Sequence, residues 1–455
     1  MKPAFVFTPD LCTGCEACRV ACGNENAGGR DTGWRQVTTF NPERDPALPT
    51  RHLSLACNHC ERPACALGCP ARAYRREEEN GALLLDEDKC IGCRYCSWVC
   101  PYDAPRFDEA RGVMTKCTFC VHRLAEGLAP ACAAACPTGA LGLLDGAGRP
   151  ASTGGATAAR GLGTVAEVPA EPSYHGLGSF GLGPALVVHA PRRSTPPEGL
   201  VGDDPETLPP AFPKRPRKIT LASEKGLLLF TLAMPALAAW FAGGLRLPSR
   251  APAVVSFLAL AAFAFGVSTA HLGRPLRAWR AVLGVATSWL SREIVAAGAF
   301  VILAFPYLAL PHASPGLGLP ALLAALLLVV SIDGVYLAVP RTWGPRLHGA
   351  EATTAFLLFT GIAANLPLLT ASMAALKALL LVRRNRAGAL GLPPGAALLR
   401  LGLLATALLP IGWGLAFVLA LASEGVDRAA FYEGLEPSTP ASRMESEARV
   451  ALASA

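Results

Sequence analysis

The sequence predicts two unlike folds in one chain: a small α+β domain organised around cysteines, then an all-α bundle of membrane-crossing helices. Three observations predict this division. All 16 cysteines of the 455-residue chain precede residue 137. Residues 1–145 are polar and dense in charge, whereas residues 226–424 are dominated by Leu and Ala with few charges. Between them, residues 146–217 are rich in Gly and Pro and lack periodicity, so they read as an irregular extension and linker.

The cysteines fall into four runs. The first is Cys12, Cys15, Cys18, Cys22. The second is Cys57, Cys60, Cys65, Cys69 before Pro70, and the third is Cys90, Cys93, Cys96, Cys100 before Pro101. The fourth is Cys117, Cys120, Cys132, Cys136 before Pro137. Disulfides belong to oxidising compartments and mostly to small secreted domains. Zinc sites use C-x2-C pairs, but they do not usually add a third cysteine two residues on and a fourth before proline. Iron–sulfur clusters do, and the thiolates divide into the ligand sets of four [4Fe–4S] cubanes. Three close cysteines wrap one cluster and the fourth reaches its neighbour, so the runs work in pairs. Spacing alone permits first with fourth and second with third, or first with second and third with fourth. The clusters act as internal staples, so little conventional core is needed. The expected fold of residues 1–145 is a double ferredoxin-like iron–sulfur domain of short strands and helices. Helices are expected to start just after the Cys-Pro pairs, since proline suits a first helical position. A row of clusters moves single electrons between two places.

Apolar runs long enough to cross a bilayer, about 20 residues each, occur at 226–245, 252–270, 291–310, 317–339, 351–372 and 401–423. Six spans are expected in an anchor domain at 218–433, with seven or eight as alternatives. The stretch 351–382 is too long for one plain span and too short for two, and Pro367 lies inside it; a tilted or broken helix fits. Residues 434–455 are expected to form a disordered tail. The net charge of +7 needs no nucleic acid to explain it, and the basic run 214–218 reads as a lipid-headgroup contact or topology signal.

Connectivity gathers His271, Arg274, Arg277, Arg292, Glu293, Asp333 and Glu351 on one face of the bundle, with Glu424, Asp427 and Arg428 returning to it after a sixth span. The opposite loop holds only His312. Ionisable residues at span ends are often interfacial anchors. An acid inside an apolar span, such as Glu293, wants a partner. A His and a Glu beside a cluster domain suggest a quinol site. Quinol oxidation releases two protons with two electrons, so it needs a base near neutrality and a carboxylate to take the second proton.

The segments CNHCERPAC at 57–65, CTFCVHRL at 117–124 and PACAAACPTGA at 130–140 resemble the four-cluster subunit of the dimethyl sulfoxide reductase family of respiratory molybdoenzymes. HLGRPLRAW at 271–279, SREI at 291–294 and RAAFY at 428–432 resemble the same family's anchor subunit. The chain is therefore similar to a fusion of the two. The resemblance implies nested pairing: Cys12, Cys15, Cys18 with Cys136; Cys117, Cys120, Cys132 with Cys22; Cys57, Cys60, Cys65 with Cys100; Cys90, Cys93, Cys96 with Cys69. Related nitrate reductase subunits carry Trp where Cys93 stands, with a three-iron cluster, so Cys93 implies four cubanes. The resemblance further implies menaquinol oxidation without haem at His271, Arg277 and Glu293, close to the cluster of Cys93. It also implies a separate molybdopterin-containing catalytic subunit as partner, so the chain itself would hold no catalytic site for the terminal substrate.

The family anchor has eight spans, against six here. The expected location is the bacterial inner membrane. A signal peptide is not expected, because Met1 to Val6 run straight into the first cysteine motif. In this family the exported catalytic partner often supplies a twin-arginine signal. The excess of Lys and Arg on the cluster side points instead to a cytoplasmic cluster domain. Two rival readings are electron flow from a dehydrogenase partner into quinone, and a membrane-bound relay without a quinone site.

Overall fold

The computed structural model describes residues 2–26, 33–145, 147, 149, 174–189, 219–244, 250–310, 315–340, 351–386 and 392–454. The basic run 214–218, His312 and most of the linker lie outside these residues. The chain divides into two compact units. One comprises Met1–Arg215 with Pro437–Ala455, the other Pro216–Glu436.

The first unit is built from short ladders. Strand β1 (Ala4–Phe7) pairs antiparallel with β8 (Leu141–Leu144) and parallel with β9 (Leu186–Val188). Three hairpins complete the strands: β2 (Gln36–Phe40) with β3 (Arg51–Leu55), β4 (Tyr74–Arg76) with β5 (Leu83–Leu85), and β6 (Arg106–Asp108) with β7 (Val113–Thr115). Among the described residues up to 145, the α-helices are one of ten residues, α1 (Ala17–Asn26), and four of four or five: α2 (Ala64–Leu67), α3 (Tyr95–Val99), α4 (Val121–Ala125) and α5 (Ala131–Ala134).

The helices do not start after the Cys-Pro pairs. Instead α2, α3 and α5 each contain the third cysteine of a run and end before the fourth. A turn follows each Cys-Pro and leads into β4, β6 or β8. The residue before proline is driven out of the α region. Cys100 accordingly sits extended at φ −87° and ψ 110°. Proline here stops a helix and turns the fourth thiol away from its own run.

Part of the linker belongs to this unit's core: Tyr174, Leu177 and Leu186 pack among the cysteines. The expected disordered tail is also corrected. Pro440–Ser454 forms a helix whose Met444 and Ala448 are buried in the same core. Thr439 and Ser442 cap its start reciprocally, each side chain bonding the other's backbone N–H. His175 Nδ1 lies 3.0 Å from Glu447 Oε2.

The described residues of the second unit form helices and their connections. Its members are α6 (Leu221–Ala242), α7 (Arg250–Ala270), α8 (Trp289–Ala309), α9 (Gly318–Leu337), α10 (Ala352–Ala364), α11 (Pro367–Arg386), α12 (Pro394–Ala407) and α13 (Trp413–Gly434). The closing helix of the first unit, Pro440–Ser454, is α14. Apolar side chains such as Val255, Ile302, Leu319 and Leu323 are exposed on the outer faces of the second unit, as lipid contact requires. Small residues let the helices cross closely: a Cβ on Gly334 of α9 would come within 2.5 Å of the Trp289 ring on α8.

Among the described residues, four helices are long and apolar enough to cross a membrane: Leu221–Ala242, Ala251–Ala270, Trp289–Ala309 and Pro315–Leu337. The fifth and sixth predicted spans are broken. The stretch 351–372 divides where Asn365 takes a left-handed conformation (φ 57°) two residues before Pro367. The stretch 401–423 divides at residues 408–412, around Pro410. A bend at proline frees backbone groups that must then be satisfied inside the bundle. The break beside Pro367 is the broken helix that the sequence allowed at 351–382, and the interruption around Pro410 leaves 401–423 as no single plain helix.

Candidate functional sites

The thiols gather in four sets, each mixing two runs. Cys12, Cys15, Cys18 and Cys136 line one small cavity (set A). Cys22 and Cys117 stand with Cys120 and Cys132 (set B). Cys57, Cys60, Cys65 and Cys100 form set C. Cys69, Cys90, Cys93 and Cys96 line a second cavity (set D). The sets follow one another in a row. Cys18 of A neighbours Cys132 of B, Cys117 of B neighbours Cys57 of C, and Cys65 of C neighbours Cys96 of D.

One loop is repeated at the start of each set. The residue two after the first cysteine is left-handed: Gly14 (φ 71°), His59 (φ 45°), Gly92 (φ 71°) and Phe119 (φ 65°). That conformation turns its N–H back onto the first thiol. His59 N donates to Cys57 Sγ at 3.4 Å, Gly92 N to Cys90 Sγ at 3.4 Å and Phe119 N to Cys117 Sγ at 3.3 Å. Gly14 does the same for Cys12. Hydrogen bonds to the sulfurs stabilise the anionic site and tune its potential. At Gly14 the loop also has no room, since a Cβ would lie 2.6 Å from the His52 ring. Gly14→Ala combines that overlap with backbone strain of about 1 kcal/mol or more. It is expected to lose the iron of set A selectively, read as iron per polypeptide; full retention would count against this role for the loop.

The sets suit a cluster better than a single ion. Burial pushes the thiols of Cys12, Cys22 and Cys120 up, and neighbouring thiolates push the same way. Four thiolates in such a place need a cationic core, which iron supplies. Buried donors without a protein partner, Arg35 Nε and His59 Nε2, lie beside the same sets. Leu83 N–H donates to His59 Nδ1 at 3.0 Å, so Nε2 carries the proton of the neutral ring. Burial first, then Lys116 and Arg76, hold His59 well below the ordinary histidine range.

In the helical unit, His271 directly follows α7 and is half-buried beside α6. A Cβ on Gly226 would lie 3.5 Å from the His271 Cβ. Arg277 lies in the 3-10 segment Pro275–Val282, which the Ser291 hydroxyl fastens to α8 by donating to the Ala281 carbonyl at 2.5 Å. Glu293 is buried on α8, with Tyr336 of α9 and Tyr432 of α13 as neighbours. The two tyrosine hydroxyls hydrogen-bond each other. Asp333 is occupied elsewhere: it caps α10, accepting from Ala352 N at 2.8 Å, Thr353 N at 3.0 Å and Thr353 Oγ1 at 2.7 Å.

Sequence reasoning missed a buried ionic network. Lys377 Nζ lies 2.9 Å from Glu424 Oε2 and 3.5 Å from Glu351 Oε2. Arg384 bonds Asp427 and lies 3.8 Å from Glu351 Oε1. Arg400 Nη1 lies 2.9 Å from Asp427 Oδ1, and its Nη2 lies 3.9 Å from Glu424 Oε1. Three cations face three carboxylates, all buried.

Residues 49–145 match the 4Fe-4S dicluster domain family, and residues 248–338 match the DMSO reductase anchor subunit (DmsC) family. Over 145 residues the sequence is 39% identical to the B component of anaerobic dimethyl sulfoxide reductase of Escherichia coli (strain K12), covering 30% of this protein and 70% of that one. It is 37% identical over 158 residues to the B component of sulfite dehydrogenase of Allochromatium vinosum, covering 30% and 66%. It is 38% identical over 131 residues to the B component of tetrathionate reductase of Salmonella typhimurium, covering 28% and 52%.

Proposed function

Because this protein is a member of the family of the dimethyl sulfoxide reductase iron–sulfur subunits and carries that family's anchor, we propose that it relays electrons from menaquinol to a molybdopterin-containing catalytic subunit. The protein is a multi-pass membrane protein in which an iron–sulfur electron-transfer subunit is fused to a DmsC-type anchor.

The observation that carries the relay reading is the unbroken row of sets A, B, C and D. Sets A to D would each hold one [4Fe–4S] cluster through the cysteines named above. When bound, the clusters supply one-electron redox chemistry. The loop N–H groups of Gly14, His59, Gly92 and Phe119 hold their thiolates in place and favour the anionic form. In the anchor, His271 would accept one proton of the quinol and Glu293 the other, with Arg277 orienting the headgroup. Covalent linkage of anchor and relay keeps the two at high effective concentration and in equal number.

Two measurements test this. Iron analysis of anaerobically handled protein is expected to give about sixteen irons per polypeptide. Menaquinol added to membranes holding the whole complex is expected to reduce the clusters, seen by EPR. Clusters that dithionite reduces and menaquinol does not would sink the quinol reading. The similarity to a sulfite dehydrogenase component favours one alternative, flow in reverse from a dehydrogenase partner into quinone. Identifying the largest subunit of the purified complex separates the two directions.

A further inference from the structure

We infer that Arg35 and Lys116 are electrostatic couplers of the cluster row, raising the reduction potentials of the clusters between which they stand. This rests on the four-cluster reading above. Among the described residues of the first unit, the fully buried arginine and lysine side chains are these two, and each stands at a junction between sets.

Arg35 bridges A and B. Its Nη1 donates to the Ser54 carbonyl at 3.1 Å and lies 3.2 Å from Ser54 Oγ, which is itself 3.3 Å from Cys18 Sγ of set A. The guanidinium bonds Cys132 of set B, and the Arg35 backbone N–H bonds Cys22 of the same set. The Phe5 ring supports the guanidinium at 4.5 Å. The charges that act on Arg35 most strongly are those of Cys132, Cys18, Cys117 and Cys22. Lys116 bridges B and C. Its Nζ donates to the Leu83 carbonyl, and to the Cys117 carbonyl at 2.8 Å. Its charge acts on Cys117 of set B and Cys65 of set C. Neither cation is among the main charged neighbours of Cys69, Cys93 or Cys96 in set D.

A buried permanent charge is costly unless an anion compensates it. A thiolate-ligated cluster is that anion, and it gains one more negative charge on reduction. A fixed cation beside it therefore favours the reduced form, and the effect falls with distance. Set B, touched by both cations, is raised most, and set D least. The two cations also offset the repulsion between adjacent reduced clusters, which lets an electron rest beside an occupied neighbour.

The test is an anaerobic redox titration of the whole complex, followed by EPR, with dithionite and soluble mediators so that no quinol chemistry enters. Signals are assigned with Cys15→Ser (A), Cys120→Ser (B), Cys60→Ser (C) and Cys93→Ser (D). Arg35→Gln is expected to weaken reduction of A and B at least tenfold, a downward shift of 59 mV for a one-electron couple, with D unmoved. Lys116→Met is expected to do the same to B and C. Arg35→Lys, which keeps the charge, is expected to restore the potentials. Equal shifts in all four clusters, no shift, or Arg35→Lys behaving like Arg35→Gln would overturn the proposal. If Arg35→Gln fails to hold iron, the lysine variant decides: normal iron and near-normal potentials support coupling, and loss of iron there too overturns it. A parent protein showing fewer than four titrating clusters defeats the four-cluster reading instead, whatever the variants do.

Discussion

Replacing His271 by Ala is expected to slow reduction of the clusters by menaquinol by about 10²–10⁴-fold, while dithionite still reduces them fully. The expectation follows from what each donor needs. Dithionite delivers electrons to the cluster domain directly, whereas a quinol gives up electrons only as its two hydroxyl protons leave. An imidazole titrates near neutrality and can take one of those protons. His271 lies where α7 ends, at a close crossing with α6, and Glu293 is buried on α8 between tyrosines of two other helices. Glu293→Gln should show the same split between donors. Stopped-flow reduction of membranes by each donor makes the measurement. Equal loss with both donors would mean that His271 holds structure and does no proton chemistry.

Lys377→Met is expected to destabilise the helical unit by about 3–5 kcal/mol, the usual result of breaking a buried ion pair from one side. The variant leaves Glu424 and Glu351 facing each other with one cation fewer, at a buried place where solvent does not screen them. Attraction inside the network offsets desolvation only while the three cations and three carboxylates balance. The double variant Lys377→Met with Glu424→Met removes one charge of each sign and is expected to recover most of the loss. Thermal unfolding in one fixed detergent reads both. A single variant as stable as the parent, or a double variant worse than the single, would show that the network does not hold these helices together.

The cysteine runs were legible because three cysteines of each set are encoded at short range, within twenty residues of chain. The left-handed loop positions were only half legible. Glycine marks Gly14 and Gly92, but His59 and Phe119 take the same conformation against their own preference. The Cys-Pro pairs misled because proline both starts and ends helices, and here the need to aim the fourth thiol elsewhere decided between them. Hydropathy found α6 to α9 and Pro367 marked the break at Asn365, but the break around Pro410 was missed. The ionic network was invisible because nothing in the sequence pairs Lys377, Arg384 and Arg400 with Glu351, Glu424 and Asp427. Their partners stand 24 or more residues away, and only folding shows that the six charges meet. The closing helix α14 did have a signal, a Thr-x-x-Ser start followed by Met444 and Ala448 one turn apart.

That closing helix sets a rule of parity and of timing. The core holding Phe5 and Cys18 also holds Met444 and Ala448, so the polypeptide enters the bilayer from this body and must come back to it. Only an even number of passages allows that; an odd one would strand the final helix across the lipid. The ribosome, moreover, must complete every membrane segment before the opening half of the chain receives its last piece of packing.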